Sequence, residues 1–446
     1  MKRLREGSLS PPMVKKRVES TTTSMNRKAV TNFFTPASKK EPERIAWRVV
    51  DNSLLVGKYD PEVVKGRGNQ GLGIRRRKIA AFDFDSTLIK TSSGNVFGKN
   101  AADWKWWDAA VPGVLRQLHA DGYLLVIVSN QGGISLRSDP KTIKSDTKRL
   151  QDFKTKVSVV FSQFEFPISL YAATSRDKYR KPRSGMWSAL LEDFDLDDGD
   201  GPDLPKSLFV GDAAGRLARG SIKADFSSSD RDIAANIGIA FHTPEEFFLN
   251  ESAQPFTRTF EPAAYLCSAI TKETAPLVPF DKKYPLDIVM FCGSPASGKS
   301  TFYWEKLEPL GYTRINQDTL KTRDRCLKKA EEELSIGTSV TIDNTNADPE
   351  TRTVWVALAR KFAIPIRCVY FTSPPKLCEH NDTVRALHSG LFNPEKRSIL
   401  PHSAFSSFAS RFREPQLIEG FDEIIRLDFK FQGNEEQRKI WGKYWI

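Results

Sequence analysis

The chain has 446 residues, 39% of them hydrophobic and 11% aromatic, with a formal net charge of +12. That length suffices for two domains of ordinary size, each with its own core. No apolar run nears the roughly 20 residues of a membrane helix, and the opening MKRLREGSLSPP lacks the apolar stretch of a secretory signal. No membrane association is expected. Cys267, Cys292, Cys326, Cys368 and Cys378 form neither a CxxC pair nor a disulfide-like spacing. They point to a reducing compartment and away from a zinc site.

Residues 1–45 carry +7 of the net charge and the remaining body +5. This first stretch is rich in Ser, Thr, Pro and Lys with little hydrophobic periodicity, the composition of a disordered basic tail. The clusters Lys2–Arg5 and Lys15–Arg17 resemble nuclear-import signals, so a nuclear location is expected, with a merely solvated tail as the alternative. Val30 lies three residues before the pair Phe33 and Phe34. That spacing resembles the motif by which replication and repair proteins dock on the sliding clamp, although Arg27 stands where glutamine is usual.

Residues 46–250 alternate strand and helix patterns. IAAFDFD, YLLVIVSN, ISLYAAT and SLFVGD read as buried parallel strands, separated by helical stretches such as PGVLRQLH and residues 144–161. The pattern predicts an α/β doubly wound parallel sheet, whose sites form at the carboxyl ends of strands. Asp83 and Asp85 stand two apart at one such end, with side chains to the same side. Taken alone, a DxD is as readily a turn or a surface pair. Ser129 and Asn130 close the second strand, Lys181 sits in YRKPRSG, and Asp212 closes SLFVGD.

This succession of carboxylate, hydroxyl, lysine and carboxylate on strand ends resembles the haloacid dehalogenase superfamily of phosphatases. The resemblance implies Asp83 as nucleophile, forming an aspartyl-phosphate, and Asp85 as general acid and base. Ser129, Asn130 and Lys181 would bind phosphate oxygens. Asp83 and Asp212 would hold Mg2+ with help from the backbone carbonyl of Asp85. Ser129 and Lys181 are only 52 positions apart, and one helix and one strand consume that span. No large cap fits there, so the site is expected to admit the end of a polymer.

Residues 251–284 contain Pro255, Pro262, Pro276 and Pro279 with weak periodicity and read as a linker or interdomain segment. Residues 285–446 read as a second α/β unit. There a strand leads into Gly293, Ser294, Pro295, Ala296, Ser297, Gly298, Lys299, Ser300 and Thr301, which fit GxxxxGK[ST]. Backbone amides of such a loop approach the phosphates of ATP, Lys299 neutralises the outer ones, and Ser300 ligates Mg2+. Asp318 in RINQDTL is the candidate base for an acceptor hydroxyl, or else a helix cap. Asp343 near the metal, Arg352 at a helix start and Arg385 as a lid cation are candidates balanced against structural salt bridges.

Taken together, AFDFDSTL, YRKPRSGMW, FVGDAAGR, TPEEFFL, GSPASGKST, NQDTL, IDNTN and EPQLIEGF resemble the eukaryotic polynucleotide kinase 3′-phosphatases, from about residue 46 to the C-terminus. The resemblance implies a bifunctional enzyme acting on DNA strand-break termini, removing 3′-phosphates and phosphorylating 5′-hydroxyls with ATP. It also implies a phosphate-binding role for Arg352. Animal members carry an N-terminal phosphopeptide-binding domain that residues 1–45 are too short to hold, and Ser129 stands where threonine is common. A monomer is expected. Three readings compete with this one. They are RNA end healing, a binding scaffold with decayed sites, and a small-nucleotide kinase fused to a metabolite phosphatase.

Overall fold

In the computed structural model the described residues are 44–64, 76–137, 144–220, 223–266, 280–392, 395 and 397–446. The import clusters Lys2–Arg5 and Lys15–Arg17 and the docking residues Val30, Phe33 and Phe34 lie outside them. The first half builds β1 (Ile45–Val50), β2 (Leu54–Tyr59), β3 (Ile79–Phe82), β4 (Ile89–Lys90), β5 (Lys105–Trp106), β6 (Leu124–Asn130), β7 (Ile168–Ala173), β8 (Leu208–Val210) and β9 (Ala240–His242). Seven of these form one sheet in the order β1-β2-β7-β6-β3-β8-β9, and β4 pairs with β5 separately.

From β7 to β9 the sheet is parallel, as the continuous apolar runs predict. β1 and β2 extend it antiparallel at one edge, which the four strands read from the sequence did not include. Their connection explains the hairpin: Asp51 and Asn52 have φ of 50° and 54°, the left-handed region that Asp and Asn tolerate better than most residues.

Successive residues of a strand face opposite sides, so each run contributes to two cores. Phe82, Leu125, Ile127 and Leu170 pack one face with Val157 and Phe161 of helix Lys144–Phe161. Ala81, Val126, Val128 and Tyr171 pack the other with Met186 and Leu190 of helix Gly185–Asp193 and Ile233 of helix Ser229–Ile237. Between Ser129 and Lys181 the described residues contain helix Lys144–Phe161 and β7 alone, so the predicted lack of a large cap there agrees with the structure.

The second half builds β10 (Ile288–Cys292), β11 (Thr313–Ile315), β12 (Val340–Ile342), β13 (Ile366–Phe371) and β14 (Glu423–Leu427), all parallel in the order β11-β12-β10-β13-β14. The chain runs outward from β10 in both directions, which opens a crevice at the carboxyl end of that central strand. The stretch read as a linker is packed where it is described. Phe256 bridges to Arg216, Arg258 pairs with Asp232 at 2.6 Å, and Phe260 lies in a cluster with Leu377, Val384, Trp441 and Trp445.

Beneath the second sheet, Arg367 on β13 and Asp287 form a buried ion pair at 2.7 Å, with the Tyr312 hydroxyl donating to the same carboxylate at 2.7 Å. Arg367→Met strands the carboxylate in the interior. It should lower the stability of this half by about 3–5 kcal/mol, read as a shifted denaturation midpoint.

Candidate active sites

The first site forms where β3, β6 and β8 end side by side. Asp83 directly follows β3, its amide donating to the Val210 carbonyl at 2.9 Å, so the ladder with β8 aims it past the sheet edge. Three carboxylates converge here: oxygens of Asp83, Asp212 and Asp230 all lie within 4.8 Å of one another. Asp230 reaches them from the first turn of helix Ser229–Ile237. Gly211 permits that approach, since a Cβ there would stand 2.3 Å from Asp230 Oδ2.

Lys181 threads into this cluster with a side chain only 2% exposed. Its Nζ donates to Asp83 Oδ1 at 2.6 Å and to the Val128 carbonyl at 2.7 Å, and lies 2.8 Å from Asp230 Oδ1. Burial opposes its charge, yet Asp230 and Asp83 together raise the ammonium above its ordinary value. Burial, reinforced by repulsion from Asp83 and Asp230, lifts the Asp212 carboxyl to about 8. Burial likewise lifts Asp230 to about 6, against the pull of Lys181. Three close carboxylates face one ammonium. The all-oxygen donor set and its surplus negative charge fit a hard divalent cation.

Asp85 stands exposed at the mouth of the site. Its carboxylate is turned to Gln131, whose Nε2 donates at 2.7 Å to Asp85 and at 3.0 Å to Ser129 Oγ. Partial desolvation by the surrounding protein and the charge of Asp83 raise the Asp85 carboxyl above the usual range. Its side chain is thus apart from the trio Asp83, Asp212 and Asp230. Asn130, expected to bind phosphate, is committed elsewhere: its Oδ1 accepts from the Lys181 amide at 2.9 Å and its Nδ2 donates to the Lys181 carbonyl at 3.2 Å. It positions the lysine. Ser129 is buried beside it at the end of β6.

The second site follows β10. Gly293–Thr301 curl from the strand into helix Lys299–Phe302, with φ of +100° at Gly298 where only glycine sits without strain. Lys299 folds over the loop, donating to the carbonyls of Gly293 at 2.9 Å and Ser294 at 2.5 Å. Burial depresses its ammonium to about 8, partly offset by Asp343. Ser300 Oγ donates to Asp343 Oδ2 at 2.9 Å, so strand ends β10 and β12 bring both expected metal-side residues together. Beside them opens a cavity of about 830 Å³, lined by Pro295–Thr301, Asp318, Asp343, Arg385 and Trp441.

Asp318 lies at the cavity rim with its side chain 72% exposed, accepting from Arg397 Nη1 at 3.1 Å. It caps no helix: Asn316 caps Gln317–Leu320 and Thr322 caps Arg323–Ser335. Arg385 lines the cavity, held by Asp382 at 2.7 Å through Nη2, while its Nε has no hydrogen-bond partner. The expected phosphate role of Arg352 does not survive. Its side chain is 0% exposed, its Nε and Nη2 grip Glu419 at 2.7 Å each, and its Nη1 donates to the carbonyls of Asn346, Ala347 and Arg413. It is a buried tie that no phosphate reaches.

Sequence reasoning passed over Asp230, Gln131 and Arg314. Gln131 directly follows the strand ending YLLVIVSN, and one further step along it would have found the partner of Asp85. Arg314 donates to Asp343 Oδ2 at 2.7 Å, to Ser300 Oγ at 3.0 Å and to Glu395 at 2.8 Å. Glu395 in turn accepts from Arg397, the partner of Asp318, at 2.6 Å. A chain of hydrogen bonds and ion pairs thus runs from the loop serine to the rim carboxylate.

Two strand-end sites on separate sheets, one organised by a carboxylate and the other by a glycine loop, define a haloacid dehalogenase-type phosphatase joined to a P-loop kinase. Residues 78–248 match the family described as polynucleotide kinase 3 phosphatase, and residues 288–415 match an AAA domain. The chain is 39% identical over 402 residues to the bifunctional polynucleotide phosphatase/kinase of Schizosaccharomyces pombe, covering 90% of this chain and 88% of that protein. A relative in Acanthamoeba polyphaga mimivirus is 33% identical over 376 residues, covering 79% and 85%. A polynucleotide 3′-phosphatase of Arabidopsis thaliana is 38% identical over 185 residues, covering 40% of this chain and 25% of that one. The chain belongs to the bifunctional polynucleotide phosphatase/kinase family. The chemistry implies a metal ion at the phosphatase carboxylates and a nucleoside triphosphate donor at the loop.

Because Arg352 serves packing, Arg352→Gln should lower the melting temperature of the protein. The KM for the triphosphate should stay within about twofold, since no ligand contact is removed. Steady-state kinetics on the folded fraction checks this.

Proposed function

We infer that the chain heals broken polynucleotide ends, removing 3′-phosphates at the Asp83 site and phosphorylating 5′-hydroxyls at the Lys299 site, leaving ends a ligase can join. The observation that carries this reading is the pairing, in one chain, of the carboxylate-lysine cluster with a phosphate loop and its cavity. Exposure of Asp85 and Asp318 at the two rims supports a polymer terminus as substrate.

At the first site Asp83 attacks the 3′-phosphorus. Its oxygen bonds to phosphorus as the bond to the 3′-oxygen breaks, and Asp85 passes its proton to that leaving oxygen. Asp85, now ionised, takes a proton from water, which displaces the phosphate and restores Asp83. Lys181 offsets the charge that would otherwise repel the carboxylate from the phosphate. Mg2+ held by Asp83, Asp212 and Asp230 would supply further neutralisation of the phosphoryl oxygens. At the second site ATP is the donor. Asp318 accepts the proton of the 5′-hydroxyl, whose oxygen bonds to the γ-phosphorus as the bond to the bridging oxygen breaks and ADP leaves; Lys299 and Arg385 face the transferring phosphoryl group, and Ser300 with Asp343 is suited to Mg2+.

Asp83→Asn should abolish 3′-phosphate release from an end-labelled nicked duplex while sparing 5′-phosphorylation, and Lys299→Ala should do the reverse. Loss of both activities from one folded variant would sink the two-site reading. Asp85→Asn should slow 3′-phosphate release by about 10²–10⁴-fold. Turnover on matched RNA ends, if it exceeded that on DNA, would reassign the substrate.

A further inference from the structure

The end of the chain, in the kinase half, closes on the phosphatase half. After helix Glu435–Trp441, residues 442–446 run to helix Ser229–Ile237, whose first turn carries Asp230 and whose last turn carries Asn236. One side-chain amide joins three segments there. Asn236 Nδ2 donates to the Tyr444 carbonyl at 2.7 Å and to the Pro182 carbonyl at 2.9 Å, while its Oδ1 accepts from the Tyr444 amide at 2.8 Å. Pro182 is the residue after Lys181. Arg183, the next one, is buried and donates through Nε to the Trp445 carbonyl at 3.1 Å.

The tail is itself firmly held. Arg258 stacks over the Tyr444 ring with 4.4 Å to its centroid and pairs with Asp232 on the same helix, and the Tyr444 hydroxyl meets Glu261 at 3.1 Å. Trp445 donates to the Ile440 carbonyl at 2.8 Å and packs edge-on against His388. Trp441 donates to Asn381 Oδ1 at 2.9 Å, and Asn381 reaches the phosphate loop at the Ala296 carbonyl. A segment fixed at both ends thus bears on the two phosphatase elements that need register: the turn presenting Lys181 and the helix presenting Asp230.

We propose that residues 441–446 are a positioning strap, supplied by the kinase half, that sets Lys181 and Asp230 for 3′-phosphate chemistry through Asn236 and Arg183. The proposal rests on the phosphatase reading above. Asn236 touches no reacting atom. It acts by holding residues that do, as groups behind a metal ligand commonly hold it.

The test uses the full chain and Asn236→Asp, which keeps the shape but turns an acceptor toward two carbonyls. Ile336→Ser, at an exposed position outside the strap, is the control. Asn236→Asp should lower kcat for 3′-phosphate release and raise the Mg2+ concentration for half-maximal rate, each by about 10–100-fold. Kinase turnover in the same samples, and both activities of Ile336→Ser, should match the parent. Unchanged phosphatase kinetics in Asn236→Asp would overturn the proposal, and so would equal loss of both activities, which marks a merely structural contact. If the parent itself released no 3′-phosphate, the functional reading would fall instead. Calorimetric Mg2+ titration would then decide the strap: weaker binding at the Asp83 cluster in Asn236→Asp upholds it, and unaltered binding refutes it.

Discussion

Lys181 carries a full charge in the interior because Asp83 and Asp230 lie within 2.8 Å of its Nζ. Burying an ammonium costs several kcal/mol, and here paired carboxylates and a backbone carbonyl offset that cost. The dependence is mutual, since without the lysine the trio of carboxylates would repel one another. Around this group the rest of the phosphatase half is arranged. β3 and β6 deliver Asp83 and Ser129, Asn130 clamps the lysine backbone, and Gly211 leaves the space through which Asp230 approaches.

The kinase half meets the same difficulty with different residues. Lys299 spends its donors on loop carbonyls, and the carboxylate of Asp343 is met by Arg314 and Ser300. Both halves place their chemistry at carboxyl ends of parallel strands, where the sheet gives rigid aim and the following turns give exposed backbone amides. Each half buries a lysine, Lys181 or Lys299, and leaves a carboxylate, Asp85 or Asp318, exposed at the rim. That division suits a substrate too large to be enclosed.

The parallel strands were legible because they leave local marks: apolar runs that stop at Asp83, Ser129 and Asp212, and one that stops at Cys292 before the glycine loop. What stayed hidden depends on contacts distant in sequence. Asp230 sits in SSSDRD, where an acidic residue at a helix start reads as favourable to the helix dipole. Only the fold shows it leaning on Lys181. For Arg352 the sequence leaves a phosphate role and a structural salt bridge both open, and only the fold shows Glu419, 67 residues away, holding it. The β1–β2 edge was readable in principle from its Asp51-Asn52 turn, but the strands themselves, IAWRVV and LLVGKY, carry charges and a glycine that weaken the pattern.

The contrast in depth between Lys181 and the rim carboxylates has a consequence for ionic strength. Mobile salt screens exposed charges over about 8–10 Å but hardly enters a dry pocket. Added salt therefore screens the exposed carboxylates of Asp85 and Asp318 while the buried ion pairs of Lys181 with Asp83 and Asp230 change little. Rim and interior thus answer to ionic strength separately.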